Sequence, residues 1–540
     1  NIPTYQVRDY FNKSIINRQN NVNQLSENRN ESLQKTWNNT LEYKLQKNVH
    51  DIGLLAGYSE IRYDFQESIS NGRNFYNNDL RDLSQGDPLN RNISSSYRDW
   101  GLRSVFGRAN YSFKDKYIAE FNMRYDGSSR FPEENRYTFF PSVAAAWRIS
   151  EESFWQPLKN TINEFKLRAS WGETGNQNVG LYTYFDNLNL TNYYVFNDVP
   201  VTGVRQLNSA SQDLKWETTT QTNIGVDIST FKNKLNISFD WFDKVTNGIL
   251  LELPIPGLVG LNPVATNAGS VQNIGWEAQL NYRNKIKDFR YAITFNFSDV
   301  KNKILDLAGT GPYYSGTWFI RQEGNSIDEL FGYTTNGLLT QADFNNKYPV
   351  FASDAKPGDI KYVDLNKDGK ITADDRTTIG STIPRLSYSS IVDLGWKNFD
   401  FNLQFQGLGK NHLALEGALI EAGSWEGFTV DIAKDYWTPE NLDATFPRPQ
   451  KQQTKNTQAS DWWVVNGAYL RLKNVQLGYT LPARISQKAK INKFRIFAGG
   501  TNLFTVSDLN KWGIDAEAAT GRAVFYPATK TYTFGINLGL

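Results

Sequence analysis

The residues of this chain best spaced for chemistry lie between Pro357 and Asp375. Counted from Asp364, oxygen-bearing side chains stand at positions 1, 3 and 5 (Asp364, Asn366, Asp368), glycine at position 6 (Gly369) and a carboxylate at position 12 (Asp375). That is the order of an EF-hand-type calcium loop, in which oxygens gather round the ion and glycine makes the sharp turn. The candidate metal ligands are Asp364, Asn366, Asp368, the Lys370 carbonyl and Asp375, with the Thr372 hydroxyl beside them. Position 12 is Asp rather than Glu, and the shorter side chain predicts a weak site, in the roughly 10⁻⁴ to 10⁻³ M class. An ion there would stiffen the loop and do no chemistry. The other reading is an acidic, solvated turn without metal. The flanks carry no helix pair: Ile360 to Val363 reads as extended.

The elements that must hold this turn follow from composition. Lys plus Arg is 58 and Asp plus Glu is 56, a balance that excludes the basic face of a nucleic-acid binder. There are no cysteines, so neither disulfides nor thiol chemistry. His50 and His412 are the two histidines, too few for a His-rich metal centre or a Ser-His-Asp triad, and no catalytic residue is assigned. Aromatic residues make up 14% of the chain, yet mean hydropathy is −0.54. No run of about 18 apolar residues occurs, so no transmembrane helix is expected. A membrane β-barrel reconciles the two: lipid-facing apolar residues alternate with lumen-facing polar ones, and aromatic girdles raise the Tyr, Phe and Trp count. The chain opens at Asn1 within polar sequence, which reads as a mature product or a fragment.

Alternation is explicit. Phe289, Tyr291, Ile293, Phe295 and Phe297 interleave with Arg290, Ala292, Thr294, Asn296 and Ser298. Phe399, Phe401, Leu403 and Phe405 interleave with Asp400, Asn402, Gln404 and Gln406. The links between such segments fall into two classes that largely alternate. Short ones lie at 46–50, 114–116, 231–234, 285–287 and 397–398. Long ones lie at about 66–99, 173–215, 246–268, 301–383, 410–467 and 506–529. Outer-membrane barrels keep periplasmic turns short and extracellular loops long. Two departures are a short link at 126–136 on the long side and a longer one at 150–164 on the short side. The count is about 15 strands, or 16 if Thr4–Tyr10 is one. A bulge is expected near Asn474, and the last strand, 531–540, is expected to pair with the first. The Asn-rich run 17–30 reads as an exposed loop.

Several stretches carry a family resemblance. Phe106-Gly-Arg-Ala-Asn-Tyr-Ser-Phe-Lys-Asp-Lys-Tyr117, Arg124-Tyr-Asp-Gly-Ser-Ser-Arg-Phe131, Lys166-Leu-Arg-Ala-Ser-Trp-Gly-Glu-Thr-Gly-Asn176 and Tyr469-Leu-Arg-Leu-Lys-Asn-Val-Gln-Leu-Gly-Tyr-Thr-Leu-Pro482 resemble the SusC/RagA-like TonB-dependent transporters, as does the acidic stretch 358–380. The resemblance implies an all-β transmembrane antiparallel barrel in the outer membrane, of about 22 strands in full. It also implies a plug domain, energy coupling through TonB–ExbB–ExbD, a SusD-like surface lipoprotein as lid, and import of oligosaccharides or peptides. No plug or TonB-interaction segment is recognisable in residues 1–540, which are therefore expected to be the C-terminal part of such a barrel. Its long extracellular loops would be 301–383, holding the calcium loop 364–375, and 410–467.

Exposed loop aromatics are the expected contacts for substrate or partner: Tyr193, Tyr194, Trp318, Trp425, Trp437, Trp462 and Trp463. Flat rings stack on sugars and pack on peptide side chains, although loop packing is the competing role. The remaining functional readings are a passive outer-membrane porin and a calcium-dependent surface adhesin. An adhesin would show domain-sized repeats and Pro/Gly linkers, which are not seen.

Overall fold

The computed structural model describes residues 4–8, 22–253, 255–421, 431–450, 454–518, 521, 525–526 and 528–539. A 16-stranded antiparallel sheet runs through them, each strand bonded to the next in chain order. Its strands are β1 (Thr4–Arg8), β2 (Gln24–Lys47), β3 (His50–Arg73), β4 (Asn92–Phe113), β5 (Tyr117–Ser128), β6 (Tyr137–Arg148), β7 (Ile162–Asn176), β8 (Glu217–Thr230), β9 (Leu235–Asn247), β10 (Ser270–Ile286), β11 (Phe289–Asp306), β12 (Arg385–Trp396), β13 (Phe399–Lys410), β14 (Tyr469–Thr480), β15 (Lys493–Ser507) and β16 (Thr531–Gly539). The meander matches the period-two pattern, because a one-residue slip would turn every apolar side chain to the wrong face.

The outer face is apolar in continuous rows. Tyr111, Ala119, Ala145, Ala169, Ile224, Trp241 and Trp276 are successive register partners from β4 to β10. Large apolar side chains on this face stay exposed, Phe121, Met123, Val143 and Trp171 among them. Such exposure is costly in water and suits a sheet wetted by lipid. The tight turns at 48–49, 114–116, 231–234, 287–288 and 397–398 share one end, with left-handed φ at Asn48, Lys114, Asp115, Lys232, Asn233, Lys287 and Lys397. Aromatic rings gather at that level. Phe113, Tyr117 and Trp147 stack in sequence at 6.4 Å spacing, and Trp396, Phe399 and Tyr479 form a second group.

Several expectations are met in detail, and others are corrected. Lys473 is skipped in the ladder: Gln404 faces Asn474 and Phe405 faces Leu472, the bulge expected near Asn474. By contrast β2, β3 and β4 run to 24, 24 and 22 residues. Residues 24–30 of the Asn-rich run are therefore strand, not loop; residues 17–21 lie outside those described. The outer ends of these strands are polar on both faces, so alternation is lost there while backbone pairing continues. A second longer link at the tight-turn end, 481–492, was not foreseen and holds the short helix α1 (Ala483–Ser486). Among the described residues β16 pairs with β15 and β1 with β2, and the two outer strands are not paired with each other.

The faces carry a direct test. Phe121→Arg on the apolar face should cost about 2–4 kcal/mol of membrane-folded stability. Its inward-facing neighbour changed as Asn122→Ser should stay within about 1 kcal/mol. Urea unfolding in lipid vesicles measures both, and equal costs would contradict the assigned faces.

Candidate functional site

At the far end from the tight turns, the described residues of the links 307–384, 411–468 and 508–530 fold into a common cap. Its core joins Trp318, Leu330, Tyr333, Ile360, Tyr362 and Ile371 of the first link to Leu415, Phe446 and Trp463 of the second and to Leu509, Trp512 and Ile514 of the third. Trp463 is 0% exposed; its Nε1 donates to the Asn456 carbonyl at 2.7 Å and its ring meets Phe446 edge-on at 5.4 Å. A smaller cluster of Phe131, Phe140, Val179, Leu214 and Trp216 sits over β5–β8.

Small sheets carry the acidic turn into this cap. Ile360–Tyr362 pairs with Thr335–Leu338 before it. After it, Arg376–Ser381 pairs with Glu329–Tyr333. Asp359, at the foot of the turn, is 2% exposed and fully engaged. It accepts from Arg448 Nη2 at 3.1 Å and Asn456 Nδ2 at 3.0 Å, with Lys455 Nζ at 3.5 Å. Tyr362 donates to the Lys455 carbonyl at 2.6 Å, and burial pushes its hydroxyl pKa up, so it remains a donor. Gly358, at φ 88°, lies under the Trp437 indole, where a Cβ would collide. This buried charge network pins link 307–384 to link 411–468.

Backbone amides close the turn itself. Asp364 accepts from the N–H groups of Asp368 and Gly369 at 3.2 and 2.8 Å. Asn366 Oδ1 accepts from Asp368 N–H and Asp368 Oδ1 from Lys370 N–H, both at 2.9 Å. Asp375 is 0% exposed and accepts from Leu365, Asn366 and Thr372 at 2.9, 3.3 and 2.7 Å. Burial alone would raise its pKa, but these amides of Thr372, Asn366 and Leu365 hold it below the ordinary carboxylate range. The donor set fits calcium in part. Asp364, Asn366 and Asp368 stand together, two of them exposed, and each oxygen has capacity left. Asp375 is buried and already accepts three amides, which leaves one acceptor site, on Oδ2. Among the described residues no group of three or more His, Cys, Asp or Glu converges as a metal site.

Below the cap, the inner face of the wall is polar and cross-linked. Arg168 on β7 reaches Asp227 on β8 at 2.9 Å and Asp240 on β9 at 2.8 Å. It crosses β8 over Gly225, register partner of both Arg168 and Asp240, where a Cβ would strike both side chains. Arg495 and Asp400 pair over Gly478, register partner of Asp400, where a Cβ would again strike both side chains. Arg124–Asp126 continues the series.

A family described as TonB dependent receptor-like, beta-barrel, matches residues 3–503. The chain belongs to that family. TonB-dependent receptor P3 of Formosa agariphila is 33% identical over 525 residues, covering 93% of this chain and 52% of the relative. TonB-dependent receptor SusC of Bacteroides thetaiotaomicron is 29% identical over 451 residues, covering 81% of this chain and 43% of the relative. A chain of the RagAB peptide transporter superposes with a TM-score of 0.83 at 24% identity, over 97% of this chain and 57% of that one. The chain thus spans about half the length of the curated relatives it matches. It supplies barrel strands of an outer-membrane TonB-dependent receptor, a class of barrel that keeps short turns on the periplasmic side and long loops outside.

Receptor geometry sorts the expected contact aromatics. Trp318 and Trp463, taken from sequence as exposed, are 5% and 0% exposed, because each packs in the cap core. Trp462 is half-buried against that core, and Trp437 is half-buried on Gly358. Tyr194 is 63% exposed. Trp425 and the side chain of Tyr193 lie outside the described residues. Sequence reasoning missed what surrounds Tyr194: Leu188–Phe196 and Val199–Gln206 form a hairpin within link 177–216. Tyr194, Val195, Phe196, Val199, Val201 and Val204 all stay exposed on it. The signal was present, in β-branched and aromatic residues on both sides of Asn197-Asp198, whose φ values of 49° and 61° make the turn.

The acidic turn yields a pH prediction. A carboxylate whose folded pKa is depressed contributes stability above its unfolded value of about 3.9 and loses it as pH falls through the lower folded value. The turn should resist protease at pH 5 to 7 and open only below about pH 4. Asp375→Ala should open it at pH 7, at a local cost of about 1–2 kcal/mol for a lost capping side chain. Limited proteolysis of the receptor reads this out while heat-modifiable migration reports an intact barrel.

Proposed function

We propose that the receptor is a SusC-type importer that takes up oligosaccharides or peptides together with a SusD-like surface lipoprotein. Its wall would work with a plug region that couples it to TonB–ExbB–ExbD. The observation that carries this reading is the inner face. Its charged side chains pair along the wall instead of meeting as an apolar core. A sheet of 16 strands is too wide for its own side chains to fill. Such a lumen suits a hydrated, gated path for a polar solute. The SusC relative supports the SusC-type reading by sequence.

The exposed hairpin supports a polypeptide lid. Apolar side chains on both faces of an isolated two-stranded ribbon are disfavoured in water and mark a protein contact. Calcium is retained in the proposal as an accessory ligand of Asp364, Asn366, Asp368 and the Lys370 carbonyl, stiffening the turn from outside the cell.

The experiment is uptake of labelled peptides and oligosaccharides by cells expressing the full-length receptor, with and without TonB. Loss of uptake without TonB is expected; unchanged uptake would favour a passive porin. Replacing residues 188–206 by a short Gly-Ser turn should leave the receptor in the outer membrane yet remove the lipoprotein from mild-detergent purifications. In the same preparations Asp368→Ala should abolish any effect of calcium on proteolysis of the turn.

A further inference from the structure

Among the periplasmic links, 149–161 is longer than the pairing it connects demands. β6 and β7 are in register through Arg148 and Lys166, and the neighbouring hairpin turns in residues 231–234. The extra residues are ordered as two 3-10 turns, Ile149–Glu151 and Ser153–Leu158. They are tied to the lipid-facing side of the wall at two places. Glu152 accepts from Tyr117 Oη at 2.6 Å, from Trp147 Nε1 at 3.2 Å and from Lys116 Nζ at 3.2 Å. Tyr117 and Trp147 belong to the aromatic girdle at the tight-turn end. Trp155 stacks at 5.2 Å on Phe165, which shares its face of β7 with Leu167 and Trp171. The link therefore runs along the outside of the barrel, not beneath its mouth. Held in that position, Phe154 is 63% exposed and Leu158 48% exposed. The charges beside them are neutralised, Lys159 by Glu151 at 3.1 Å and Lys116 by Glu152.

We propose that link 149–161 is an interfacial foot, seated in the headgroup layer of the periplasmic leaflet with Phe154 and Leu158 among the upper acyl carbons. The occupant of this apolar surface is phospholipid. The surface is continuous with the lipid-facing girdle through Tyr117, Trp147 and Phe165, and a segment with an apolar side and paired charges lies in the interface plane about 5–10 Å into the headgroup boundary. The foot fixes the height of the β6–β7 hairpin relative to the bilayer. A protein partner in the periplasm would need the same residues free in water.

Residues 1–540 contain no cysteine, and any cysteine elsewhere in the full-length receptor is first changed to serine so that single labels are clean. Phe154→Cys and Leu158→Cys, each carrying an environment-sensitive dye, are compared with Lys232→Cys at a tight periplasmic turn, in the full-length receptor in phosphatidylcholine vesicles. Shallow spin-labelled lipid should quench the dyes at 154 and 158 by about half and leave the dye at 232 little changed, with the reverse order for aqueous iodide. Iodide quenching at 154 and 158 equal to that at 232, with no response to spin-labelled lipid, would overturn the proposal and point to water or a periplasmic protein. Gln156→Cys provides a position in the same turn whose label does not replace an apolar side chain. Quenching by lipid at 156 but at neither 154 nor 158 would likewise overturn the immersion of those two residues.

Discussion

Hydrocarbon offers no hydrogen-bond partner to a backbone amide, and every other feature of this receptor is arranged around that fact. An unpaired N–H or C=O there costs several kcal/mol. From β2 to β16 the ladder meets the demand by pairing each strand with the next, and among the described residues its connections leave the sheet at the two ends; β1 covers only Gln24–Asn28 of the β2 edge. Side chains are then free of the usual requirement to make a core. The outer face can be greasy and open, and the inner face can carry Arg168, Asp227 and Asp240 in one chain of ion pairs.

Folding by burial reappears where water returns. Above the wall, links 307–384, 411–468 and 508–530 bury Trp463, Trp318, Leu330 and Leu509 much as a soluble domain would. Asp359, Arg448, Lys455 and Asn456 fix how two of those links meet. Breaking a buried charged network leaves uncompensated groups and costs more than the network contributes. The acidic turn is thereby presented on a firm base, and Asp375 works as an internal clamp on that base.

Legibility from sequence followed the same division. Wall strands such as 289–298 and 399–406 were readable because each residue reports one of two environments, lipid or lumen, in strict alternation. Even the slip at Lys473 showed as a phase change between Leu472 and Val475. Trp318 and Trp463 were misread because a loop aromatic looks the same whether it packs on a neighbouring link or faces solvent; the deciding contacts come from residues far along the chain. The outer ends of β2–β4 and the hairpin 188–206 were missed because neither meets lipid on one face only, so no alternation marks them. The 481–492 link was hidden for a simpler reason: its helix is four residues long, too short for a helical period to show, and Pro482 at its start was the only mark.

The length of β2, β3 and β4 has a consequence for approach to the pore. Strands of 24 residues, at about 3.3 Å per residue, extend about 80 Å. Tilted by about 40°, they rise about 60 Å, whereas the apolar band of an outer-membrane barrel is about 25 Å tall. About 35 Å of this hairpin array, more than half its height, therefore stands clear of the apolar band as a palisade on one flank. The opposite flank is roofed by the cap instead. Between fence and cap, over β5–β8, the rim is filled by the cluster of Phe131, Leu214 and Trp216 and by the hairpin 188–206, so the fence passes into covered rim and not into a gap.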